Sequence, residues 1–246
     1  MAPDIVVRKC DKLDEFHRCV NIQREIWNES DLETEPYVTF VVAAQTGGQV
    51  LGAFDGVTMV GFTLGLVGLH DKTPYIHSHM TGVLASHRDR RVGRLLKLFQ
   101  RDEALHRGIR HVEWTFDPLE TRNAHFNFNR LGAISCKFIP NFYGVTSSPL
   151  HRGLPTDRLL VDWQLETKRV VAAIHELVRD PIEGPATIHL PSELEQWKKD
   201  NPDRLEAEQI RIRDEFLHWF GKGYAVTGVR FTLTGADYCL APWSDF

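Results

Sequence analysis

Two runs of strand-forming residues that meet at an Asp-Gly dipeptide constrain the fold of this chain most strongly. Val50 to Phe54 precedes Asp55-Gly56, and Val57 to Leu66 follows it. Asp-Gly supplies the positive φ angles that a tight two-residue turn requires, so these runs predict an antiparallel hairpin. A third run, Tyr75 to Val83, alternates residue types and predicts another strand.

The third strand leads into a basic stretch and then into an amphipathic segment. Residues 86–101 read SHRDRRVGRLLKLFQR. Four apolar residues recur there at the i, i+3, i+4, i+7 spacing of a helix with one buried face: Val92, Leu95, Leu96 and Phe99. We therefore expect a helix after Gly93 that ends near Gly108.

Further elements on both sides complete the fold class. Before the hairpin, the pattern predicts a strand at Ile5 to Val7 and a helix at Leu13 to Trp27, and it leaves Val38 to Ala44 open between helix and strand. Later elements are a strand at His111 to Phe116, a helix at Thr121 to Leu131, and strands at Ile134 to Tyr143 and Leu159 to Leu165. Together they predict a mixed α/β fold, a largely antiparallel sheet flanked by helices.

The composition shifts near residue 166, which divides the chain into a main domain, 1–165, and a C-terminal extension, 166–246. The extension predicts a helix at Val170 to Val178, a Pro/Gly-marked connection from Pro181 to Pro191, a helix begun by Asn201-Pro202, and a closing hairpin of Tyr224 to Leu233 and Asp237 to Leu240. An apolar face on the long helix predicts that the extension packs on the main domain or on a partner subunit, as in a homodimer.

Charge and cysteine usage exclude several classes of function. The net charge of −4 and the pI of about 6.3 provide no overall positive field for nucleic acid or an anionic membrane. The four cysteines show no metal-ligand spacing, so we expect reduced thiols and no metal. No leader or membrane-spanning segment is evident, and we expect a cytoplasmic protein.

The basic corner before the helix allows three interpretations. A strand that turns into a helix presents backbone N–H groups at the positive end of the helix dipole, where phosphate binds. A solvated helix face is the plain alternative. Nucleic-acid binding is the third, through Arg88, Arg90, Arg91, Arg94 and Lys97.

The order of elements around this corner resembles the GNAT superfamily of acyl-CoA-dependent N-acyltransferases over residues 3–165. In that family a Q/R-x-x-G-x-G/A corner holds the coenzyme A pyrophosphate; here Arg88 matches its first position, Gly93 its last, and Arg91 stands for the middle glycine. The resemblance implies acetyl-CoA or another acyl-CoA as co-substrate. The residues it implies for binding are Val83, Leu84, Arg88, Arg90, Arg91, Val92, Gly93, Arg94 and Asn123.

Acyl transfer to an amine needs a base, and the resemblance places it on the strand before the corner. His77 falls where relatives carry a catalytic glutamate, and alternation predicts that His77 and His79 share one face with Thr81 and Val83. Glu113 is the candidate to orient a histidine or to act as base itself. The alternative is a purely structural role, in which the two histidines form hydrogen bonds within a half-buried sheet.

The family's general acid is a tyrosine, for which this chain has Phe128. Tyr143, His125 and Cys136 are substitutes, and a thiolate also takes its proton from water. We expect the oxyanion donor to be a backbone N–H near Val83 or Leu84.

Three short segments, YIHSHM, EWTFDPL and NFYG, resemble those of a GNAT subgroup of acyltransferases with small-molecule acceptors. The implied function is acyl transfer, acetyl or succinyl, to a primary amine such as that of an amino acid derivative. The alternative is a GNAT fold that binds coenzyme A or another ligand without turnover, which Arg91 and Phe128 suggest. The sequence leaves the acceptor, the acyl chain and the oligomeric state open.

Overall fold

A computed structural model describes residues 5–27, 33–144, 154–177 and 185–243. The chain divides into two compact units, and the boundary falls inside one strand, after Glu113. The division at residue 165 separates the part that resembles the family from the extension, and it stays a prediction.

The first unit is a strand layer with three helices. Its strands are β1 (Ile5–Lys9), β2 (Gln49–Asp55), β3 (Thr58–His70), β4 (Thr73–Val83) and the first half of β5 (His111–Phe116), in that order across the sheet. The helices are α1 (Leu13–Trp27), α2 (Tyr37–Gln45) and α3 (Val92–His106). β1 to β4 are antiparallel, whereas β4 and β5 are parallel and pair at Ile76 with Val112 and at His77 with Glu113.

The predicted hairpin is confirmed, with a shift in its turn. Asp55 pairs with Thr58, so the two turn residues are Gly56, at φ +59°, and Val57, which is 97% exposed. The sequence pattern placed Val57 in the strand because its side chain favours strands, but the turn glycine decides the register.

The core of the first unit lies between the sheet and its helices. Fully buried members come from a helix and both hairpin strands, among them Phe40, Leu51 and Phe62. The ring of Phe62 meets Phe40 of α2 edge-on at 5.8 Å and Trp27 of α1 at 6.2 Å. The apolar face predicted for α1 is buried as expected, whereas that of α3 is buried except at Leu95, which is 36% exposed.

A β-bulge in β4 changes which residues share a face. Leu64 pairs with Met80 and Gly65 with Ser78, so His79 is an extra residue in the ladder. Ser78 contacts α3 through Lys97, and Val83 also faces α3 beside Gly93, although the two are five positions apart. The expectation that His77 shares a face with Thr81 and Val83 was wrong, because the bulge reverses the alternation.

The second unit is also mixed α/β. Its strand order is β5, β7 (Arg158–Gln164), β6 (Ile134–Ile139), β9 (Tyr224–Thr232), β10 (Gly235–Pro242) and β8 (Ala186–Pro191). Its helices are α4 (Thr121–His125), which continues as a π-helical turn over Phe126–Arg130, α5 (Lys168–Ile174), α6 (Leu194–Asp200) and α7 (Pro202–Gly221). Its core includes the fully buried side chains of Phe128, Trp163, Phe216 and Tyr238.

Several features of the second unit depart from the sequence prediction, among them α6, a helix that the pattern did not indicate. β8 occupies much of the segment predicted as a connection, and it pairs antiparallel with β10. The strand predicted to reach Tyr143 ends at Ile139. The cap at Asn201 and the closing hairpin are confirmed: the Asn201 side chain accepts from the Arg204 N–H at 3.2 Å, and β9 pairs antiparallel with β10.

The fold class is therefore confirmed as a largely antiparallel sheet flanked by helices. Helices long and apolar enough to cross a membrane are absent from the described residues.

Candidate active site

The predicted corner is a turn between β4 and α3 with two left-handed residues. A 3-10 turn at Ala85–His87 follows β4, and Asp89 and Arg91 have φ of 60° and 62°. α3 then begins at Val92, and Leu95 N donates to Arg91 O at 3.0 Å. The first N–H groups of a helix have no carbonyl acceptor within that helix. In α3 they therefore point outward at the positive end of the helix dipole.

Gly93 leaves open space on this first turn. A Cβ built at residue 93 has Val83 Cγ2, at 3.9 Å, as its nearest neighbour, and the residue does not have a positive φ. The fold therefore does not require glycine here. The missing side chain instead bares backbone at a helix N-terminus, which suits close approach of an anion.

The arginines of the corner differ in what they contact. Arg88 is exposed, and its Nε lies 3.4 Å from Val83 O. Arg90 pairs with Asp55 at 3.4 Å, and Asp55 also meets His87 Nε2 at 3.1 Å. Arg91 is exposed and Arg94 half-buried on the first turn of α3. The positive charge is thus gathered beside Val92 and Gly93, with Arg90 shared with a carboxylate.

Lys97 does not belong to the basic surface that the nucleic-acid interpretation assumed. Its side chain is buried, and Nζ donates to Ser78 Oγ at 2.6 Å and to Gln100 Oε1 at 3.1 Å. Burial lowers the pKa of Lys97 to about 7. The helical spacing that buries Leu96 also turns Lys97 toward β4, which weakens the case for a nucleic-acid patch.

The backbone at the end of β4 narrows the choice of oxyanion donor. The Leu84 N–H donates to Val60 O at 2.9 Å, so it is already hydrogen-bonded to β3. Opposed residues in an antiparallel ladder alternate between bonded and non-bonded pairs. The next pair, Gly61 with Val83, is therefore non-bonded, and the Val83 N–H points away from β3. Of the two predicted donors, the geometry favours Val83.

Glu113 and His77 are brought together across the parallel pair of β4 and β5. His77 Nδ1 lies 3.8 Å from Glu113 Oε1, which is ion-pair distance, and the other carboxylate oxygen lies 3.0 Å from His70 Nε2. Burial raises the pKa of Glu113, but the histidine partners His77 and His70 outweigh it and hold the pKa at about 2. Glu113 is consequently ionised at neutral pH and suited to orient a histidine.

His79 forms a second histidine–carboxylate pair. Its Nε2 lies 3.2 Å from Glu35 Oε1, and this hydrogen bond lowers the pKa of Glu35. Gln23 of α1 is buried and holds the Glu35 backbone, because its amide accepts from Glu35 N at 3.0 Å and donates to Glu35 O at 3.2 Å. The rings of His77 and His79 lie 6.1 Å apart, so the bulge keeps the two candidate bases adjacent.

The remaining candidates lie in the second unit. Asn123 is exposed on α4, and Phe128 is buried against Phe116. Tyr143 is half-exposed, and its hydroxyl lies 3.1 Å from Thr115 Oγ1.

His125 and Cys136, the two further candidates for the general acid, have shifted pKa values. Burial lowers the pKa of His125 and raises that of Cys136.

Asp117 follows β5, and its side chain accepts a hydrogen bond from Leu119 N at 2.8 Å, which is a contact typical of a turn residue.

Sequence reasoning missed Glu35, Gln23, His70 and His111 as neighbours of the candidate bases. His70 ends β3, so the register of the β3–β4 hairpin predicts it on the face of His77, whereas the position of His111 follows only from the parallel pairing of β5 with β4. No strand or helix pattern indicated Glu35, because it precedes α2 in a loop.

Comparisons with known proteins concern the fold. No family model and no curated protein matches the sequence. Three solved structures illustrate the structural likeness. The ribosomal-protein-S18-alanine N-acetyltransferase of Escherichia coli is 12% identical, with a TM-score of 0.53 over 67% of this chain and 96% of its own. A Salmonella typhimurium protein assigned as an acetyltransferase and solved with its cofactor acetyl-CoA is 18% identical, with a TM-score of 0.51 over 68% and 97%. A Desulfovibrio desulfuricans protein assigned to the GNAT family of acetyltransferases is 12% identical, with a TM-score of 0.54 over 66% and 99%.

Proposed function

Because the chain has the fold of the GNAT acetyltransferases, we propose that it transfers an acyl group from acyl-CoA to the primary amine of a small molecule, such as an amino acid derivative. Acetyl is the favoured group and succinyl the alternative. The observation that carries the proposal is the open first turn of α3 at Gly93, next to the strand that bears His77 and His79.

The corner suits the diphosphate of coenzyme A. The amides of Val92, Gly93 and Arg94 form the first turn of α3, and Gly93 leaves its backbone uncovered. Arg88 and Arg91 add exposed guanidinium groups, which form charge-assisted bonds with phosphate oxygens. Arg90 pairs with Asp55, so it would exchange that carboxylate for the ligand.

The thioester supplies an activated acyl group, and the chain supplies a base and an oxyanion donor. His77 accepts the proton of the attacking amine, and ionised Glu113 stabilises the imidazolium that results. His79, paired with Glu35, is the second candidate for this role. The Val83 N–H points away from β3, and we assign it as the donor to the oxyanion.

The acid step differs from the family pattern, because Phe128 replaces the tyrosine that the resemblance implies. The helix dipole of α3 stabilises a thiolate, which then takes its proton from water. Asn123 remains a proposed contact of the coenzyme. A homodimer formed through residues 166–246 and a cytoplasmic location are part of the same proposal.

Two substitutions and two measurements test this function. Free thiol release is followed with acetyl-CoA and succinyl-CoA over a panel of amines, and coenzyme A affinity is measured by calorimetry. We expect His77→Ala to lower turnover about 100-fold or more with little change in coenzyme A Kd. We expect Arg88→Ala mainly to raise that Kd.

The controls are His106→Ala and Arg204→Ala, which remove exposed side chains of the same types at the C-terminal end of α3 and on α7. Equal turnover in wild type and His77→Ala would show that His77 is not the base, and His79→Ala would then be tested in the same way. Coenzyme A binding without thiol release for any acceptor would favour the non-catalytic binding module.

A further inference from the structure

Two histidines and a glutamate converge at the hairpin end of the first unit. The imidazoles of His70 and His111 and the carboxylate of Glu113 each offer one donor atom, and these atoms lie within 4.8 Å of one another. Glu113 is buried, His111 half-buried and His70 exposed. In the described part of the chain, this is the one cluster of three such groups; other histidine–carboxylate contacts, such as His189 with Asp237, are pairs.

Strand register explains why the three side chains meet. His111 and Glu113 are two residues apart on β5, so they lie on one face. Glu113 pairs with His77, and His77 with Leu66 of β3. His70 is four positions beyond Leu66 and faces the same way. The sheet therefore directs all three toward one point above the first residues of β4.

Tyr75 holds the exposed member of the cluster in position. Its ring stacks on the His70 imidazole with centroids 4.0 Å apart and planes 6° apart, and it lies 5.7 Å from His111. Gly68 makes this possible, since a Cβ at residue 68 would overlap with the Tyr75 ring. A glycine and a stacked tyrosine thus help to hold the His70 imidazole beside Glu113.

We propose that His70, His111 and Glu113 form a binding site for a divalent transition-metal ion such as Zn²⁺. Imidazole nitrogen and carboxylate oxygen are zinc ligands at about 2.0–2.2 Å, which places donor atoms about 3.3 Å apart in a tetrahedron. His70 Nε2 and Glu113 Oε2 are already 3.0 Å apart. The three donor atoms lie within 4.8 Å of one another, so a movement of the His111 donor atom by about 1.5 Å closes the remaining distances, and a fourth position stays open to water.

The second carboxylate oxygen links this site to the proposed catalytic pair. Glu113 Oε1 faces His77, while Oε2 faces His70. A metal ion on Oε2 leaves Oε1 free to keep its histidine. The metal site itself does not depend on acyl transfer, and its test uses neither acyl-CoA nor an amine.

The test is metal binding by the purified full-length chain after chelator treatment and desalting. Zn²⁺ is titrated by calorimetry, and Co²⁺ is used as a spectroscopic probe whose visible absorption reports a low-coordinate nitrogen–oxygen site. We expect one equivalent to bind. Because loss of even an outer-shell partner costs about 10–100-fold in metal affinity, His70→Asn or His111→Asn should cost at least about 100-fold.

Matched variants keep the result interpretable. His189→Asn removes an imidazole that also contacts a carboxylate, at 2.7 Å, and should leave Zn²⁺ affinity unchanged. His70→Cys replaces one zinc ligand by another and should retain binding that His70→Asn loses, which separates ligation from folding. Absence of binding by the wild type, or equal affinity in wild type and the His70→Asn/His111→Asn double variant, would overturn the proposal.

Discussion

Replacing Gly93 with alanine separates the part this residue plays in ligand binding from its part in folding. The new Cβ meets its nearest neighbour, Val83 Cγ2, at 3.9 Å, an ordinary van der Waals contact, and the backbone is not in the left-handed region. Alanine is favoured over glycine in helices by up to about 1 kcal/mol. Since residue 93 lies in the first turn of α3, we expect unfolding free energy to rise by about 0.5 kcal/mol.

Ligand binding should change in the opposite direction. If the diphosphate of coenzyme A contacts the amides of this turn, a methyl group at residue 93 stands in its path. The loss of one charge-assisted hydrogen bond is worth about 1.5–3 kcal/mol, which corresponds to a roughly 10- to 100-fold rise in Kd. Urea denaturation measures the first effect, and calorimetric titration with coenzyme A measures the second.

Gly221→Ala is the matched control. Gly221 also lies in a helix, without a positive φ and with nothing within 4 Å of a built Cβ, but at the C-terminal end of α7. This variant should keep the wild-type affinity for coenzyme A. If Gly93→Ala folds normally and binds coenzyme A as tightly as the wild type, the diphosphate does not lie on the first turn of α3. A loss of stability in Gly93→Ala would instead show that the first turn has no room for a methyl group.

Three further substitutions probe the fold around the site and the second unit. Burial lowers the pKa of Lys97 from 10.5 to about 7, so the unfolded chain binds more protons between these values and stability should rise with pH across that window; Lys97→Met should abolish the rise in urea titrations at pH 7 and pH 9.5. Arg91→Gly should raise the free energy of unfolding by up to about 1 kcal/mol in the same titrations. A non-glycine residue at φ 62° is strained by about 1–2 kcal/mol, and the larger conformational entropy of glycine in the unfolded chain offsets part of the relief. Asp157→Ala should cost about 3–5 kcal/mol by the same measurement, because the buried carboxylate accepts two bonds from Arg213 at 2.8 and 3.0 Å; an unchanged midpoint would show that this pair contributes nothing.

Local patterns predicted most of the elements because each depends on neighbours in the sequence. The hairpin around Gly56, the helices α1 and α3, and the Asn201 cap all depend on local patterns, and all were found, the hairpin with its turn shifted by one residue. β8 was missed because its prolines and its flanking glycine resemble a connection, and only pairing with β10 makes it a strand. Pairing partners of that kind are distant in the chain and leave no local signal.

The candidate site shows the same limit more sharply. Strand alternation assigns faces correctly only while the ladder is regular, and one extra residue at His79 reverses every assignment beyond it. The sequence proposed His77, His79 and Glu113 as candidate groups, and these roles stay predictions, but it placed His77 on the wrong face relative to Thr81 and Val83. Its actual surroundings follow from register: Glu113 comes opposite His77, which in turn brings His70 and His111 to the same face. His70 becomes a candidate ligand because three strands place it beside a buried carboxylate, a relation fixed by pairing rather than by composition.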